Sequence, residues 1–341
     1  MNKKDITLED IAKKLNISKS AVSLALAGKY GVGEKTRGNV LLEAANMGYR
    51  FEKNNIINPK RNRVAILLSH HEIVPDSFFA EILLGIEKEL QKNNIIMDIR
   101  ILNGDTDVSS LMLYLKEHYV NGVITFSDVK ADLIKKLRGL GMAVVLIDNR
   151  HYHGSEADQV KANNYIGGYN GAEFLYNCGH KNVCFIGDIH YSISFAERYY
   201  GCREFAENHN MQVKYIIEPG DTDYPPIYNR KSVTTLLSDS SMRPTALFCA
   251  NDPIALEVYR MCMPYNIRIP EDISVLSFDN TVACERVTPE LSSINIPRLF
   301  MGSTAVNLLI DRLKNIDAET RTIQVNTTVV DRHSVRKILP G

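Results

Sequence analysis

Residues 7–28 read TLEDIAKKLNISKSAVSLALAG, and the whole chain is best understood outward from this stretch. Thr7 and Asp10 stand three apart, the spacing of a capping box in which side-chain oxygens take up free backbone N–H groups at a helix start. Leu8, Ile11, Ala12 and Leu15 then recur at helical period and form one apolar face, with Glu9, Asp10, Lys13 and Lys14 elsewhere on the circumference. Asn16 breaks this helix. Ser18 caps a second one, whose Val22, Ala25 and Leu26 dock on the first and leave Lys19, Ser20, Ser23 and Leu24 pointing outward. Two short helices joined by a tight turn make a helix-turn-helix pattern, whose second helix enters the major groove of DNA. There the donors, acceptors and methyl groups on the base edges distinguish all four base pairs.

The next segment, KYGVGEKTRGNVLLEAANMGYRF, predicts a third helix from about Glu34 to Met47, with Val40, Leu41 and Ala44 on one face and Gly48 as its stop. Three helices can close a small core. RFEKNNIINPKRNR follows, polar and basic with Pro59 near its end, which is the composition of a linker. From Val64 the pattern changes. VAILLS, IIMDIRIL, GVITF and AVVLID read as buried strands, separated by the amphipathic helices FFAEILLGIEKELQKNN, SSLMLYLKEHY and ADLIKKLRGLG. A second set opens with the helix NNYIGGYNGAEFLYNCG and continues NVCFIGD, SFAERYYGCREFAENHN, KYIIEP, NRKSVTTLLSD, ALFCA, DPIALEVYRMCMPYN and ISVLSFD, strand and helix in turn.

Such alternation predicts parallel sheets flanked by helices, and two successive sets predict two lobes, with ligands bound at the carboxyl ends of the strands. The expected fold is therefore α/β: an N-terminal three-helix helix-turn-helix domain over residues 1–50, a linker over 51–63, and a two-lobed, doubly wound parallel-sheet core over 64–341. Within the core the N-lobe is expected over about 64–160 plus 293–322 and the C-lobe over about 161–292 plus 323–341.

Bulk properties narrow the class. Of 341 residues, 45% are apolar and 23% charged, the balance of an ordinary globular protein. There is no run of eighteen apolar residues and no apolar segment after the polar start, so neither a membrane span nor a secretion signal is expected, and the cytoplasm is the expected location. Cysteines 178, 184, 202, 249, 262 and 284 are scattered through apolar segments without a C-x-x-C pair and read as reduced core residues, not metal ligands. The formal net charge of zero hides an asymmetry: residues 1–63 carry 13 Lys and Arg against 6 Asp and Glu, whereas the remainder carries 27 against 34. A basic head on an acidic body fits a protein that offers one end to a polyanion.

With these residues in view, the head, ITLEDIAKKLNISKSAVSLALAG followed by EKTRGNVLLEAANMGYR, resembles the DNA-binding domain of LacI/GalR transcriptional regulators. The body resembles their periplasmic-binding-protein-like effector core in GHKNVCFIGD, in Arg198 and Gly201 of AERYYGCREF, in FCANDPIAL, in IPEDISVLSFDN and in TPELSSI. The resemblance implies a homodimer, or a dimer of dimers, on a pseudo-palindromic operator, and a small effector between the lobes that shifts the chain between DNA-competent and incompetent states.

It also assigns roles. The expected DNA contacts are Thr7, Ser18, Lys19, Ser20, Ser23, Leu24, Lys29 and Arg37. Lys19 can donate to guanine O6 and N7 or sit against a phosphate, Ser18 both caps and anchors to the backbone, and Arg37 adds phosphate contacts with Lys29 and Lys35. Many members have Arg where this chain has Leu24 and Asn where it has Ala27, so the guanine usually read by that Arg is expected to be lost or replaced by an A·T pair. In the linker Ile56 or Ile57 would serve as the minor-groove wedge, although Pro59 leaves little room for a helix after them.

In the core the resemblance places effector contacts at Arg198 and Asp279, with Asn251 nearby and Asp148 on the first lobe. An Arg fork and a carboxylate each bind paired hydroxyls, and Arg alone holds a phosphate or carboxylate. Thr222 stands where several members stack an aromatic ring, which favours a sugar over a flat purine. His70 and His71 either line the cleft or are loop histidines. Asp252 and Pro253 read as a helix cap and first turn. No catalytic residue, metal site or cofactor is expected. The competing readings are an enzyme, or a solute-binding protein, carrying a DNA-binding head. Against the first stands the lack of a nucleophile elbow, of metal-ligand spacing and of a phosphate loop, since GGYNG does not follow a strand in G-x-G-x-x-G form.

Overall fold

A computed structural model describes residues 6–26, 29–47, 49, 63–69, 78–102, 107–126, 129–149, 156–216, 230–239 and 243–338. Ala27, Gly28, Gly48, Ile56, Ile57, Pro59, His70, His71, Thr222 and Tyr224 lie outside the described residues. The chain divides into two compact units, one of residues 1–73, 81–160 and 299–323 and the other of residues 74–80, 161–298 and 324–341.

The head belongs to the first unit and follows its sequence signals closely. α1 (Leu8–Leu15) opens on the expected capping box: the Asp10 carboxylate accepts from the Thr7 N–H at 2.9 Å, and the Thr7 hydroxyl oxygen faces the Asp10 N–H. It closes on Asn16 in the left-handed conformation, φ 52°, one of the few non-glycine residues that adopts it readily. α2 (Lys19–Leu26) is capped by Ser18, whose Oγ accepts from the Ala21 N–H at 3.1 Å. α3 (Glu34–Met47) completes the three-helix core of Ile11, Ala12, Val22, Ala25, Val40 and Ala44. Leu41 is fully buried but is not part of that cluster, because α3 has a second set of neighbours.

The body follows as β1 (Arg63–Ser69), α4 (Phe78–Lys92), β2 (Ile96–Leu102), α5 (Val108–Glu117), β3 (Val120–Thr125), α6 (Ala131–Gly139), β4 (Ala143–Ile147) and β5 (Asp158–Ala162). Then come α7 (Asn164–Asn177), β6 (Asn182–Ile186), α8 (Ile193–Asn208), β7 (Gln212–Ile216), α9 (Arg230–Ser238), β8 (Ala246–Cys249), α10 (Asp252–Cys262) and β9 (Ser274–Asp279). The last elements are β10 (Ser292–Asn295), α11 (Arg298–Lys314), β11 (Thr322–Val325) and β12 (Thr328–Val330).

Two six-stranded sheets result, β11-β5-β4-β3-β1-β2 and β12-β10-β9-β8-β6-β7. From β2 to β5, and from β7 to β10, neighbours run parallel, and β12 runs antiparallel to β10. The five central residues of β1 are all buried, as befits a strand covered on both faces. α5 and α6 bury Leu111, Leu115, Ile134 and Leu137 against Ala65, Leu67, Val123, Val144 and Leu146 on one face of the first sheet.

Three departures from the expected layout have physical causes. β5 has the alternating sequence DQVKA, with only alternate residues buried, and its apolar content is too low to signal a strand. It is pinned by Asp158, whose carboxylate takes Arg312 of α11 bidentately at 2.8 and 2.9 Å and the Arg321 N–H at 2.7 Å, with both charged side chains sealed from solvent. β10 joins the second sheet, so the chain returns to the first unit at Leu299 and not near residue 293. Finally, α3 packs on α5 and α6, which makes the head part of the first unit's body.

Candidate functional site

On the head, α2 presents Lys19, Ser20 and Ser23 to solvent, with Ser18 exposed just before it. The Lys19 ammonium lies 3.7 Å from the Glu9 carboxylate, yet its side chain keeps 63% of its exposure. Leu24 is only half-buried, because Gly31, at φ 113°, brings the following loop up to its Cδ1. Thr7 gives its hydroxyl to Asp10 at 2.6 Å, and Lys29 is exposed. Arg37 behaves differently from the rest of this set. Its side chain is 13% exposed, with Nη1 at 3.0 Å from Glu117 of α5 and Nη2 donating to the Lys29 carbonyl at 2.8 Å.

The second site lies in the second unit, at the carboxyl ends of its strands. Arg198 reaches it from α8, which is held tightly against α7 by two glycines. A Cβ on Gly168 would fall 2.0 Å from the Arg198 carbonyl oxygen, and one on Gly201 would fall 1.9 Å from that of Tyr165, so only glycine permits this approach. The Arg198 side chain is 3% exposed. Its Nε donates to Asn164 Oδ1 at 2.9 Å, Nη1 to the Ala250 carbonyl at 2.6 Å, and Nη2 lies 3.1 Å from Asp279 Oδ1. Its plane covers the Phe278 ring, 3.9 Å from the centroid.

Asp279 ends β9 at φ 103° and Asn280 follows at φ 52°, so two consecutive side-chain-bearing residues sit in left-handed backbone. Such strain persists only where neighbours over-determine it. Here they do. Arg298 donates to the carbonyls of Asp279 and Asn280, the latter at 2.9 Å, and Arg332 donates to Asn280 Oδ1 at 2.8 Å. Asn280 donates in turn to Asn295 Oδ1 and Ser293 Oγ. Asp252, fully buried, takes the Thr281 N–H at 2.6 Å, the Thr281 hydroxyl at 2.9 Å and the Ser293 hydroxyl at 2.8 Å. Asn251, and not Asp252, caps α10, with Oδ1 accepting from the Ile254 N–H at 3.1 Å, while Pro253 sits in the first turn as expected. Asp252 is free to brace the 279–281 turn because Asn251 has taken the cap.

The structure thus brings Arg198 and Asp279 into contact and sets Asn251 one residue beyond Ala250, whose carbonyl Arg198 uses. Asp148 is in the first unit, following β4 at φ 46° with its N–H bonded to the Val160 carbonyl at 3.0 Å. Ile56, Ile57, His70 and Thr222 fall on undescribed positions. Sequence reasoning did not pick out Asn164, Phe278, Arg298 or Arg332. The adjacency of Asn164 to a helix start and of Arg298 to the Ile-Pro of INIPRLF are weak signals, since such residues usually cap or terminate helices.

Among the described residues no cluster of His, Cys, Asp and Glu could hold a metal, and no helix is long and apolar enough to cross a membrane. All six cysteines are buried free thiols, and burial pushes Cys184 and Cys202 up to about 12, which keeps them protonated and inert.

Residues 172–335 match the family model of a periplasmic binding protein-like domain. Over 335 residues, 96% of this chain and 98% of the relative, the sequence is 28% identical to the HTH-type transcriptional repressor PurR of Aliivibrio fischeri. The fold superimposes on a CelR–cellobiose complex, a transcriptional regulator, with TM-score 0.68 at 24% identity, covering 96% of this chain and 99% of that one. It also superimposes on the lac repressor dimer bound to operator and the anti-inducer ONPF, with TM-score 0.66 at 19% identity, covering 98% and 100%. Taken with the capped helix-turn-helix and the paired Arg198 and Asp279, these comparisons make the chain similar in sequence, over nearly its whole length, to repressors of the LacI/GalR type, and give it their fold.

Proposed function

We propose that this protein is a cytoplasmic repressor that binds a pseudo-palindromic operator as a homodimer through the exposed face of α2, and that a small carbohydrate at the Arg198–Asp279 cluster switches its affinity for DNA. Residues 1–50 are the DNA-reading part, 51–63 the linker and 64–341 the effector and dimerisation core. The observation that carries the effector reading is the Arg198–Asp279 pair itself. Vicinal hydroxyls can accept from a guanidinium and donate to a carboxylate at once, and the low exposure of both groups strengthens such bonds. A sugar complex of CelR and an operator complex of the lac repressor dimer support the class of effector and the assembly. Its relatives are transcriptional repressors, and the protein is a regulator, not an enzyme with a DNA-binding head.

The test is thermal denaturation of the full chain against a panel of sugars, sugar phosphates and nucleosides. A ligand at a hundredfold its Kd adds about 2.7 kcal/mol. For units of this size that raises the melting temperature by about 5–10 °C. Arg198→Met and Asp279→Asn should each abolish the rise relative to their own unliganded melting points. Those will be lower, since breaking one side of a buried pair costs about 3 kcal/mol or more. A sugar whose shift survives both substitutions would place its site elsewhere.

A further inference from the structure

α5 touches the head at three points, and each uses chemistry that a chance surface contact lacks. Lys116 sends its ammonium to the Leu26 carbonyl at the end of α2, where a cation also complements the negative end of the helix dipole. It is desolvated there, and burial, with Arg37 nearby, pushes its pKa down to about 8. Glu117, the next residue, holds Arg37 in the first turn of α3 at 3.0 Å. The next residue of α3, Gly38, lies flush on Ser109: a Cβ placed on it would be 3.3 Å from the Ser109 Cβ and 3.4 Å from the Ser109 carbonyl oxygen. The same helix buries Leu41 completely outside the head's own core. Meanwhile Ser18, Lys19, Ser20 and Ser23 remain exposed.

We infer that α5 is a seat for the DNA-reading head, with Ser109, Lys116 and Glu117 fixing α2 and α3 in one DNA-competent pose on the first unit. Arg37 is then a docking anchor and not a phosphate contact. The reading helix is presented to DNA by a rigid contact with the effector-binding core, in addition to the linker. This deepens the repressor reading and rests on it for the claim of DNA competence. The seat itself is a statement about the chain alone.

The double variant Gly38→Cys/Ser109→Cys in the full chain separates the two. Disulfides need Cβ atoms about 3.8 Å apart, within a small adjustment of the present spacing. The six native thiols are all buried in the second unit and will not compete. Mild oxidation should give an intrachain disulfide, seen as a faster band on a non-reducing gel. The oxidised protein should bind a duplex, selected from random DNA by the wild-type chain, within about threefold of the reduced protein. No disulfide, or a covalent dimer, would overturn the seat. A disulfide that weakens binding about tenfold or more would overturn the claim that the seated pose is the DNA-competent one. If random selection enriches no sequence, the DNA-binding reading fails while the disulfide still judges the seat. Should the cysteines disturb folding, Lys116→Met/Glu117→Gln is expected to speed amide exchange in α3 by about tenfold and leave β1 and β3 unchanged. Unaltered exchange in α3 would overturn the seat as well.

Discussion

Leu24 sets the limits of what the reading helix can recognise. A leucine offers no donor or acceptor to a base edge, but its methyls can pack on the C5-methyl of thymine. Leu24 is half-buried, with Gly31 of the following loop close to its Cδ1. Sites selected from random DNA are expected to show A·T at the step Leu24 faces, and Leu24→Ala should relax that preference while leaving the others intact. A strict guanine preference there, lost in Leu24→Ala, would refute the assignment. At this scale the sequence was legible wherever a residue acts on its immediate neighbours. Thr7, Asp10, Asn16 and Ser18 do what their spacing announces, since a cap is a local bond. Arg37 was not legible: a basic residue at a helix start next to exposed lysines looks like a phosphate contact until its partner, eighty positions away in sequence, is known.

Elements show the same division between local and remote causes. The helices α1 to α10 and the apolar strands from β1 to β4 and from β6 to β9 could be read from their periods; α11, the longest helix, was not assigned from the sequence, and the strands β5, β10, β11 and β12 could not be. These strands are short, polar and completed by partners far along the chain, such as the Asp158–Arg312 pair. The seam between α7 and β6 is another case. His180 is fully buried there, its Nε2 donating to the Arg336 carbonyl at 3.1 Å and its Nδ1 3.0 Å from the Thr245 hydroxyl, and burial pushes its pKa down to about 4. A depressed histidine pKa means that the folded state resists a proton which the unfolded chain, near 6.5, accepts. The stabilisation is therefore complete above pH 6.5 and is lost as pH falls from 6.5 toward 4, by roughly 3 kcal/mol in all. Denaturant titrations at pH 7 and pH 5 should show the wild type losing about 2 kcal/mol more than His180→Gln over that interval. Equal losses would show that other groups carry the acid sensitivity.

At the scale of the whole molecule, the basic head on an acidic body predicts strongly salt-dependent binding. If a dimer neutralises about eight phosphates, the log of affinity should fall with the log of salt concentration at a slope near −7. Because Arg37 is engaged by Glu117, Arg37→Gln is expected to leave that slope unchanged, whereas Lys19→Gln, if it contacts phosphate in each head, should make it shallower by about 2. An Arg37→Gln slope that drops as much as the Lys19→Gln slope would return Arg37 to the phosphate-binding set. The order of strands in the two sheets has a further consequence, for how the chain is made. A single late stretch, Thr322–Val330, supplies both β11 and β12, the strands that cover β5 in one sheet and β10 in the other. Until the ribosome has released that stretch, both sheets carry a bare edge, the form of strand most prone to pair with a neighbouring chain. A nascent chain would therefore expose both edges until Val330 has left the ribosome, and a stop before Thr322 would leave two sticky edges instead of one damaged unit.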